Sequence, residues 1–109
     1  MAGLEGRVAI VIGLTQMLAK ELALHGVNVN AVCPGCTDTD MMDGTFRRTG
    51  KRLGVPFEMV KEGAKRFIPL GRQGDPSEIA AAVVAYLASP LADYITGQAI
   101  SVDGGLVMG

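Results

Sequence analysis

The sequence has no tryptophan and only two tyrosines and three phenylalanines among its 109 residues, which predicts a core of aliphatic side chains and alanine. It has one histidine and two cysteines, too few for a disulfide framework or an evident zinc ligand set. No apolar run reaches the roughly 18 residues that a membrane span needs. The first residues lack the basic start and long apolar stretch of a signal peptide. These absences predict a cytoplasmic protein with no membrane partner.

There is also little net charge, because ten Lys and Arg residues are set against eleven Asp and Glu residues, for a total of −1. That balance argues against a nucleic-acid partner, since dedicated nucleic-acid binders carry a basic excess. Apolar residues make up 49% of the chain, which excludes disorder of the whole chain. The length fits a single domain, residues 1–109. Fifteen glycines predict frequent turns or close backbone approach to a ligand.

The charges are distributed unevenly along the chain. Residues 41–72 hold eight of the ten basic residues and only three of the eleven acidic ones. A basic segment within an acidic chain can attract an anion. The simpler interpretation is a solvated, mobile lid with charged faces.

The first third of the chain predicts strands on either side of a helix. Val8–Ile12 is a short run rich in β-branched residues, which favours a buried strand. A helical pattern follows Gly13 and ends at His25–Gly26, a pair that suits the negative helix end and the left-handed position after it. Val27–Val32 alternates in polarity and predicts a strand. The apolar residues of the helix share one face, as in an amphipathic helix: Leu14, Met17, Leu18 and Leu22.

The rest of the chain predicts helices followed by a strand. Residues 41–54 show no clear period and indicate a loop or a weak helix. Pro56 suits the first turn of a helix, and Asp75 with Glu78 forms a capping box for a later one. Ala99–Val102 predicts a short strand. The order of these elements predicts an α/β fold with a small parallel sheet and covering helices.

The two cysteines, Cys33 and Cys36, follow the second predicted strand with CxxC spacing. This spacing can bring two sulfurs within disulfide reach and is found in redox dithiols. The sequence has no second CxxC and no matching histidine, so it predicts no metal site. A β-turn with two incidental cysteines is the simpler interpretation.

Three further polar patterns give weaker signals. Asp38 and Asp40 can pair for acid–base chemistry or cation binding, but without a glycine-centred calcium loop they indicate an acidic helix start. His25 is the only histidine and no G-x-S-x-G motif is present, so no catalytic triad is predicted. Asp103–Gly105 lacks the glycine spacing of a phosphate loop and indicates the end of a strand.

Several sequence blocks occur in a recognisable order from Val11 onward. They are Val11–Ala23, Val27–Gly35, Ile68–Arg72, Asp75–Ala80, Tyr94–Gln98 and Val102–Gly105. In these blocks the chain resembles the C-terminal part of the short-chain dehydrogenase/reductase family. The loop after Gly35 and the C-terminal end look closest to members that act on polyols and related secondary alcohols.

The resemblance implies part of a Rossmann-like, doubly wound domain, with residues 13–109 as its C-terminal part. It implies a family reaction in which hydride passes between NAD or NADP and an alcohol or carbonyl. Pro34 and Gly35 match the turn beside the nicotinamide. Thr37 matches a position whose backbone meets the carboxamide, and Thr39 one whose hydroxyl meets the cofactor. Residues 40–67 match the substrate lid.

Residues 1–12 look like the family's first strand, but the phosphate loop that follows that strand in the family is missing. The family's catalytic Ser and Tyr-x-x-x-Lys are missing as well, since neither Tyr86 nor Tyr94 has a lysine four residues later. We therefore expect an internally shortened family member without catalytic residues of its own. The alternative is an oligomerisation module that pairs with itself or with a full-length relative. The choice of substrate and of NAD or NADP stays open.

Residues 8–12 allow two structures. They can replace the family's fifth strand and form a three-stranded sheet with residues 27–32 and 99–102. Alternatively, residues 8–25 form one continuous helix and the sheet has two strands. The turn available at Gly13 is very short for a strand-to-helix reversal, which favours the helix.

Overall fold

The structure, a computed structural model, describes the backbone of residues 2–107 and the side chains of residues 10–79 and 81–107. Its helices and strands in chain order are α1 (Ala2–Leu22), β1 (Ala31–Pro34), α2 (Asp40–Leu53), α3 (Phe57–Lys65), α4 (Ala85–Leu87) and β2 (Ala99–Val102). A π-helix (Glu78–Val84) and two 3₁₀ turns (Ala23–His25 and Pro90–Ala92) complete the set. Within the described part, no helix is both long and apolar enough to cross a membrane.

The chain divides into two compact units. The first consists of Met1–Cys33 and Ala81–Ile100, and the second of Pro34–Ala80 and Ser101–Gly109. Both strands run from the first unit into the second.

The N-terminal segment is one continuous helix of 21 residues, which confirms the alternative that the short turn at Gly13 favoured. The other alternative, a strand at Val8–Ile12 in a three-stranded sheet, is wrong. A strand needs a partner for its backbone groups, whereas a helix satisfies them within itself. The helical pattern simply continues through Gly13. The expected end of the helix is confirmed, because a 3₁₀ turn ends at His25 and Gly26 takes the left-handed conformation at φ 69°.

The covered face of α1 includes only part of its predicted apolar stripe, because Leu18 and Leu22 are half-buried but the other two stripe residues are exposed. Thr15 and Ala19 are buried, whereas Leu14 and Met17 are 48% and 54% exposed. The small side chain of Ala19 lies close to the turn at Gly97, where an added Cβ atom would come within 3.5 Å of the Cβ of Ala19. Close packing of this turn against small residues therefore determines which face is covered.

The two strands form a parallel pair. In the first unit the Ala31 N–H donates to the carbonyl of Gln98 at 2.8 Å, and in the second the Gly35 N–H donates to the carbonyl of Val102 at 3.0 Å. The donor and acceptor residues are separated by the same number of positions in both hydrogen bonds, as parallel pairing requires. The α/β fold with a small parallel sheet is thus confirmed.

The strand expected at residues 27–32 begins later, at Ala31, because two asparagine side chains hold the preceding segment. The Asn28 amide donates to the carbonyl of Asp93 at 2.9 Å. The Asn30 amide donates to the carbonyl of Ile95 at 3.0 Å, and its oxygen accepts from the Gln98 N–H at 3.1 Å. These side-chain bonds take the place of a regular ladder.

In the second unit, residues 40–53 form a regular helix, so the loop interpretation of residues 41–54 is wrong and the helical one is right. Thr39 caps its start and Gly54 ends it in the left-handed conformation at φ 72°. The helix packs against α3, with Phe46 buried.

The capping box at Asp75 is confirmed. The Asp75 N–H donates to the Glu78 carboxylate at 2.9 Å, and the Asp75 carboxylate accepts from the Ser77 N–H at 2.9 Å. These two bonds satisfy backbone donors that a helix start leaves without intrahelical partners.

Candidate functional site

The loop after β1 brings the predicted cofactor-binding residues together within the second unit. Pro34 ends β1, and Gly35 follows at the carboxyl end of the strand. A Cβ atom on Gly35 would lie 2.5 Å from the Cβ of Asp103 and 2.8 Å from its Cα. Glycine at this position is therefore required by packing within the unit, whatever ligand the loop binds.

Thr37 and Thr39 lie further along the same loop, and both hydroxyls have partners within the chain. The Thr37 hydroxyl donates to the carbonyl of Gly35 at 3.3 Å, and its backbone forms a parallel bridge with Gly74. The Thr39 hydroxyl accepts from the Met42 N–H at 3.2 Å and so caps α2. The structure thus places all four residues in one short loop with a defined conformation.

Gln73 is a supporting residue that the sequence analysis missed. Its side chain is only 7% exposed, and its amide donates to the Cys36 sulfur at 3.4 Å and to the carbonyl of Thr37 at 3.5 Å. These hydrogen bonds hold the loop in its conformation. A single buried amide has no sequence pattern that could have revealed it. Cys33 and Cys36 are free thiols, and the CxxC redox interpretation stays a prediction.

Asp103 ends β2 and organises the glycine-rich turn that follows. One carboxylate oxygen accepts from the Gly105 N–H at 3.0 Å and the other from the Val107 N–H at 3.1 Å. These amides would otherwise be available to a phosphate group. The expectation that Asp103–Gly105 ends a strand rather than forming a phosphate loop is confirmed.

The acidic residues around the start of α2 are held by a single lysine. The Lys61 ammonium group lies 3.1 Å from the Asp43 carboxylate and 3.3 Å from that of Asp38. Hydrogen bonding to Asp43 is the main cause that raises the pKa of Lys61 above its ordinary value. Asp40 is the first residue of α2, so the pattern is the expected acidic helix start.

A small cavity of about 110 Å³ lies in the second unit beside the end of β2. Its lining residues are Cys36, Leu70, Arg72, Gly74, Glu78, Ile79, Val102, Asp103 and Gly104. Two parallel hydrogen bonds of 2.7 and 2.8 Å join the Arg72 guanidinium to the Glu78 carboxylate. This pairing, together with the Asp75 N–H, lowers the pKa of Glu78 to about 2. Among the described residues, no group of three or more His, Cys, Asp or Glu residues could hold a metal ion.

Comparison with known proteins identifies the class to which this α/β chain belongs. A family model described as enoyl-(acyl carrier protein) reductase matches residues 8–107. The chain belongs to this family of short-chain dehydrogenases and reductases.

Individual relatives agree with this assignment. A 3-oxoacyl-[acyl-carrier-protein] reductase of Aquifex aeolicus is 48% identical over 95 residues, which are 87% of this chain and 34% of the relative. The crystal structure of a short chain dehydrogenase family protein from Francisella tularensis matches with a TM-score of 0.85 at 33% identity, covering 90% of this chain and 40% of that one. A structure of actinorhodin polyketide ketoreductase with NADPH matches with a TM-score of 0.80 at 41% identity, covering 88% and 36%. The chain spans about a third of the length of the curated relatives it matches.

The chemistry of the loop fits one end of a nicotinamide cofactor. Hydroxyl and backbone amide groups at Thr37 and Thr39 suit an uncharged carboxamide. The nearby cations are already paired, Lys61 with two aspartates and Arg72 with Glu78, so they do not offer a free positive charge to a pyrophosphate. The described residues of this loop therefore suit the nicotinamide end, and the two cations beside it are paired rather than free for a pyrophosphate.

Proposed function

We propose that this chain is a shortened dehydrogenase/reductase that keeps the nicotinamide-side loop but does not transfer hydride by itself. The observation that carries the proposal is the intact loop from Pro34 to Thr39 in a sequence without Tyr-x-x-x-Lys. The family reaction joins NAD or NADP to an alcohol or carbonyl substrate, with the bound nicotinamide supplying or accepting the hydride.

The roles of the loop residues are those that the family resemblance implies. Pro34 and Gly35 form the turn beside the nicotinamide, the backbone of Thr37 meets the carboxamide, and the hydroxyl of Thr39 meets the cofactor. A tyrosine activated by a neighbouring lysine would have to protonate the developing alkoxide, and the chain has no such pair. Binding of the nicotinamide end alone is weak, because contacts to the rest of the cofactor are lost.

The direct test mixes the purified chain with NADPH or NADH and a small diketone, and follows absorbance of the reduced cofactor. We expect no consumption above the rate without protein, whereas a full-length relative run in parallel consumes the cofactor. Steady turnover by this chain alone would overturn the proposal. In a separate titration with nicotinamide mononucleotide, we expect amide NMR shifts at Gly35, Thr37 and Thr39 only at millimolar ligand.

A second candidate is an oligomerisation module, and the exposed stripe of α1 favours it. Ile10, Leu14 and Met17 lie on one helix face and are 69%, 48% and 54% exposed. Contiguous exposed apolar surface of this kind is typical of interaction sites. The occupant that fits the family resemblance is a second copy of this chain or a full-length relative, since α1 resembles the family's interface helix.

Sedimentation of the chain, alone and mixed with a full-length relative, tests this candidate. We expect an associated species that Met17→Lys abolishes. The matched control is Gln16→Lys, which adds the same charge at a neighbouring exposed position of the same helix. A monomer under both conditions, or equal loss of association in the two variants, would contradict it.

A further inference from the structure

The connection between α2 and α3, residues 54–56, is closely packed within the second unit and is called the elbow below. The carbonyl of Gly50 accepts from the N–H groups of both Gly54 and Val55. A Cβ atom on Gly50 would lie 2.8 Å from the carbonyl oxygen of Val55 and 3.4 Å from the Phe57 nitrogen. The absence of a side chain at Gly50 thus allows the connecting segment to lie directly on α2. This holds the start of α3 in a defined place.

This arrangement leaves a shallow, largely open recess of about 580 Å³ beside the elbow. Its lining residues are Arg47, Gly50, Lys51, Gly54, Val55, Pro56 and Phe57. The pocket therefore combines two cationic side chains with an apolar floor.

The two cations of the pocket are held without carboxylate partners. Arg47 and Lys51 are four residues apart, which places them on the same face of α2. The Arg47 guanidinium lies over the Phe57 ring, 4.8 Å from its centre, so its orientation is fixed by a contact that leaves its charge uncompensated. Among the ion pairs that join described residues, none includes Arg47 or Lys51.

We propose that this pocket, formed by Arg47, Lys51 and Phe57, binds a phosphate monoester that carries an apolar group. Two adjacent positive charges match the double negative charge of a phosphate monoester better than the single charge of a carboxylate. Arginine also pairs with phosphate oxygens through two parallel hydrogen bonds. Val55, Pro56 and Phe57 offer apolar surface to the remainder of the ligand. The pocket lies within residues 40–67, the segment that resembles the family's substrate lid, but the proposal requires neither hydride transfer nor the loop after β1.

Arg48 and Arg52 provide a matched internal control. They form the neighbouring row of exposed cations on α2, outside the pocket lining. Lys51 and Arg52 are both in the last turn of α2, so either one complements the helix dipole equally. A difference between Lys51→Ala and Arg52→Ala therefore reports on the pocket rather than on helix stability or overall charge.

The experiment titrates the ¹⁵N-labelled chain with phenyl phosphate and follows amide shifts by NMR. We expect saturable shifts confined to residues 47–57. Lys51→Ala should weaken binding about tenfold, the usual effect of losing one charge-assisted contact. Arg52→Ala should change it less than about twofold, since long-range charge effects are screened. Inorganic phosphate, phenol and benzoate serve as partial ligands and should each bind more weakly than phenyl phosphate.

Several results would overturn the proposal. Equal weakening by Lys51→Ala and Arg52→Ala would show attraction to a diffuse basic surface instead of a site. Benzoate binding as tightly as phenyl phosphate would exclude a preference for phosphate. Shifts spread over the whole chain, or no saturation, would exclude the pocket. Both variants keep the Arg47–Phe57 contact, so a dispersed amide spectrum is expected for each and verifies folding.

Discussion

At position 35, in the loop after β1, packing against a residue that is distant in sequence restricts which amino acid fits. Gly35 lies so close to Asp103 that even a methyl group has no room. The resemblance to the family marks Gly35 as a cofactor-side residue, and the structure adds a packing reason within the unit itself. The two explanations make different predictions, because packing affects stability with no cofactor present.

We predict that Gly35→Ala lowers the free energy of unfolding by about 1–3 kcal/mol, the usual cost of overpacking a close contact. Urea unfolding monitored by circular dichroism measures the change. The control is Gly63→Ala in α3, where an added Cβ atom meets nothing within 4 Å. That substitution should raise stability by about 0.5–1 kcal/mol through helix propensity. If Gly35→Ala left the unfolding midpoint unchanged, the packing explanation would be wrong.

The Arg72–Glu78 pair predicts a specific response to acid. Its hydrogen bonds lower the pKa of Glu78 from an ordinary 4.5 to about 2 in the folded state. A carboxyl group whose pKa is lower in the folded state than in the unfolded state stabilises the fold at pH values above its unfolded-state pKa. This stabilisation is lost as the pH falls through the folded-state pKa. The relevant window therefore lies between about pH 5 and pH 2.

We expect Glu78→Gln to lower the urea midpoint at pH 7 relative to the unmodified chain. The difference should shrink steadily from about pH 5 to pH 2, because Glu78 becomes protonated over that window. Unfolding curves of both proteins across this range provide the measurement. Glu62, whose pKa is lowered by Lys65, titrates in both proteins and cancels in the comparison. Hydrogen bonds from Ser77 lower the pKa of the neighbouring Asp75 but the charge of Glu78 acts to raise it, so the response of Asp75 is part of the measured difference. A difference independent of pH would contradict the assignment to this ion pair.

Among the elements, helix ends could be predicted from sequence more reliably than helix faces. The cap at Asp75 and the stop at Gly26 were predicted because each depends on residues within a few positions of one another. The packed face of α1 was predicted only in part, and the start of β1 was not predicted. Both depend on residues 92–98, which lie far away in sequence and contact these elements only in the folded chain.

The start of α2 supplies a test at this scale. Thr39→Ala removes the hydroxyl that accepts from the Met42 N–H, and should cost about 1 kcal/mol of stability. Thr39→Ser keeps the hydroxyl and should restore most of that loss. The comparison is made by thermal unfolding of the three proteins. If the serine variant were no more stable than the alanine variant, Thr39 would not act as a cap.

Across the described side chains of both units, exposed apolar surface is the dominant property. Only four apolar residues among them are buried: Ala19, Phe46, Ile68 and Ala92. Among the described side chains, none of the large ones is fully buried. Low burial predicts marginal stability in isolation, because little apolar surface is removed from water to offset chain entropy.

If a second copy covers the exposed stripe of α1, the melting temperature should depend on protein concentration. We predict a rise of roughly 3–5 °C for a tenfold increase in concentration, since association stabilises the folded chain by mass action. Calorimetry or circular dichroism at several concentrations measures it. A constant melting temperature would contradict self-association.

The candidate loop shows the same division between local and distant information. The sequence alone placed the candidate residues in one short segment, Pro34 to Thr39, because they are close together in the chain. The partners that hold it, Gln73 and Asp103, emerged only from the folded chain.

The sequence by itself determined the family, the α/β class, the helix caps and the absence of a catalytic Tyr-x-x-x-Lys pair, all of which depend on residue identity and short spacing. The short turn at Gly13 also favoured the helix at residues 8–12. Folding over long distances decided that Thr15 and Ala19 rather than Leu14 and Met17 are covered, and that Gly35 must lie against Asp103. The physical reason is that hydrogen bonds and close packing between distant segments compete with local preference, and no local pattern records which segments will meet.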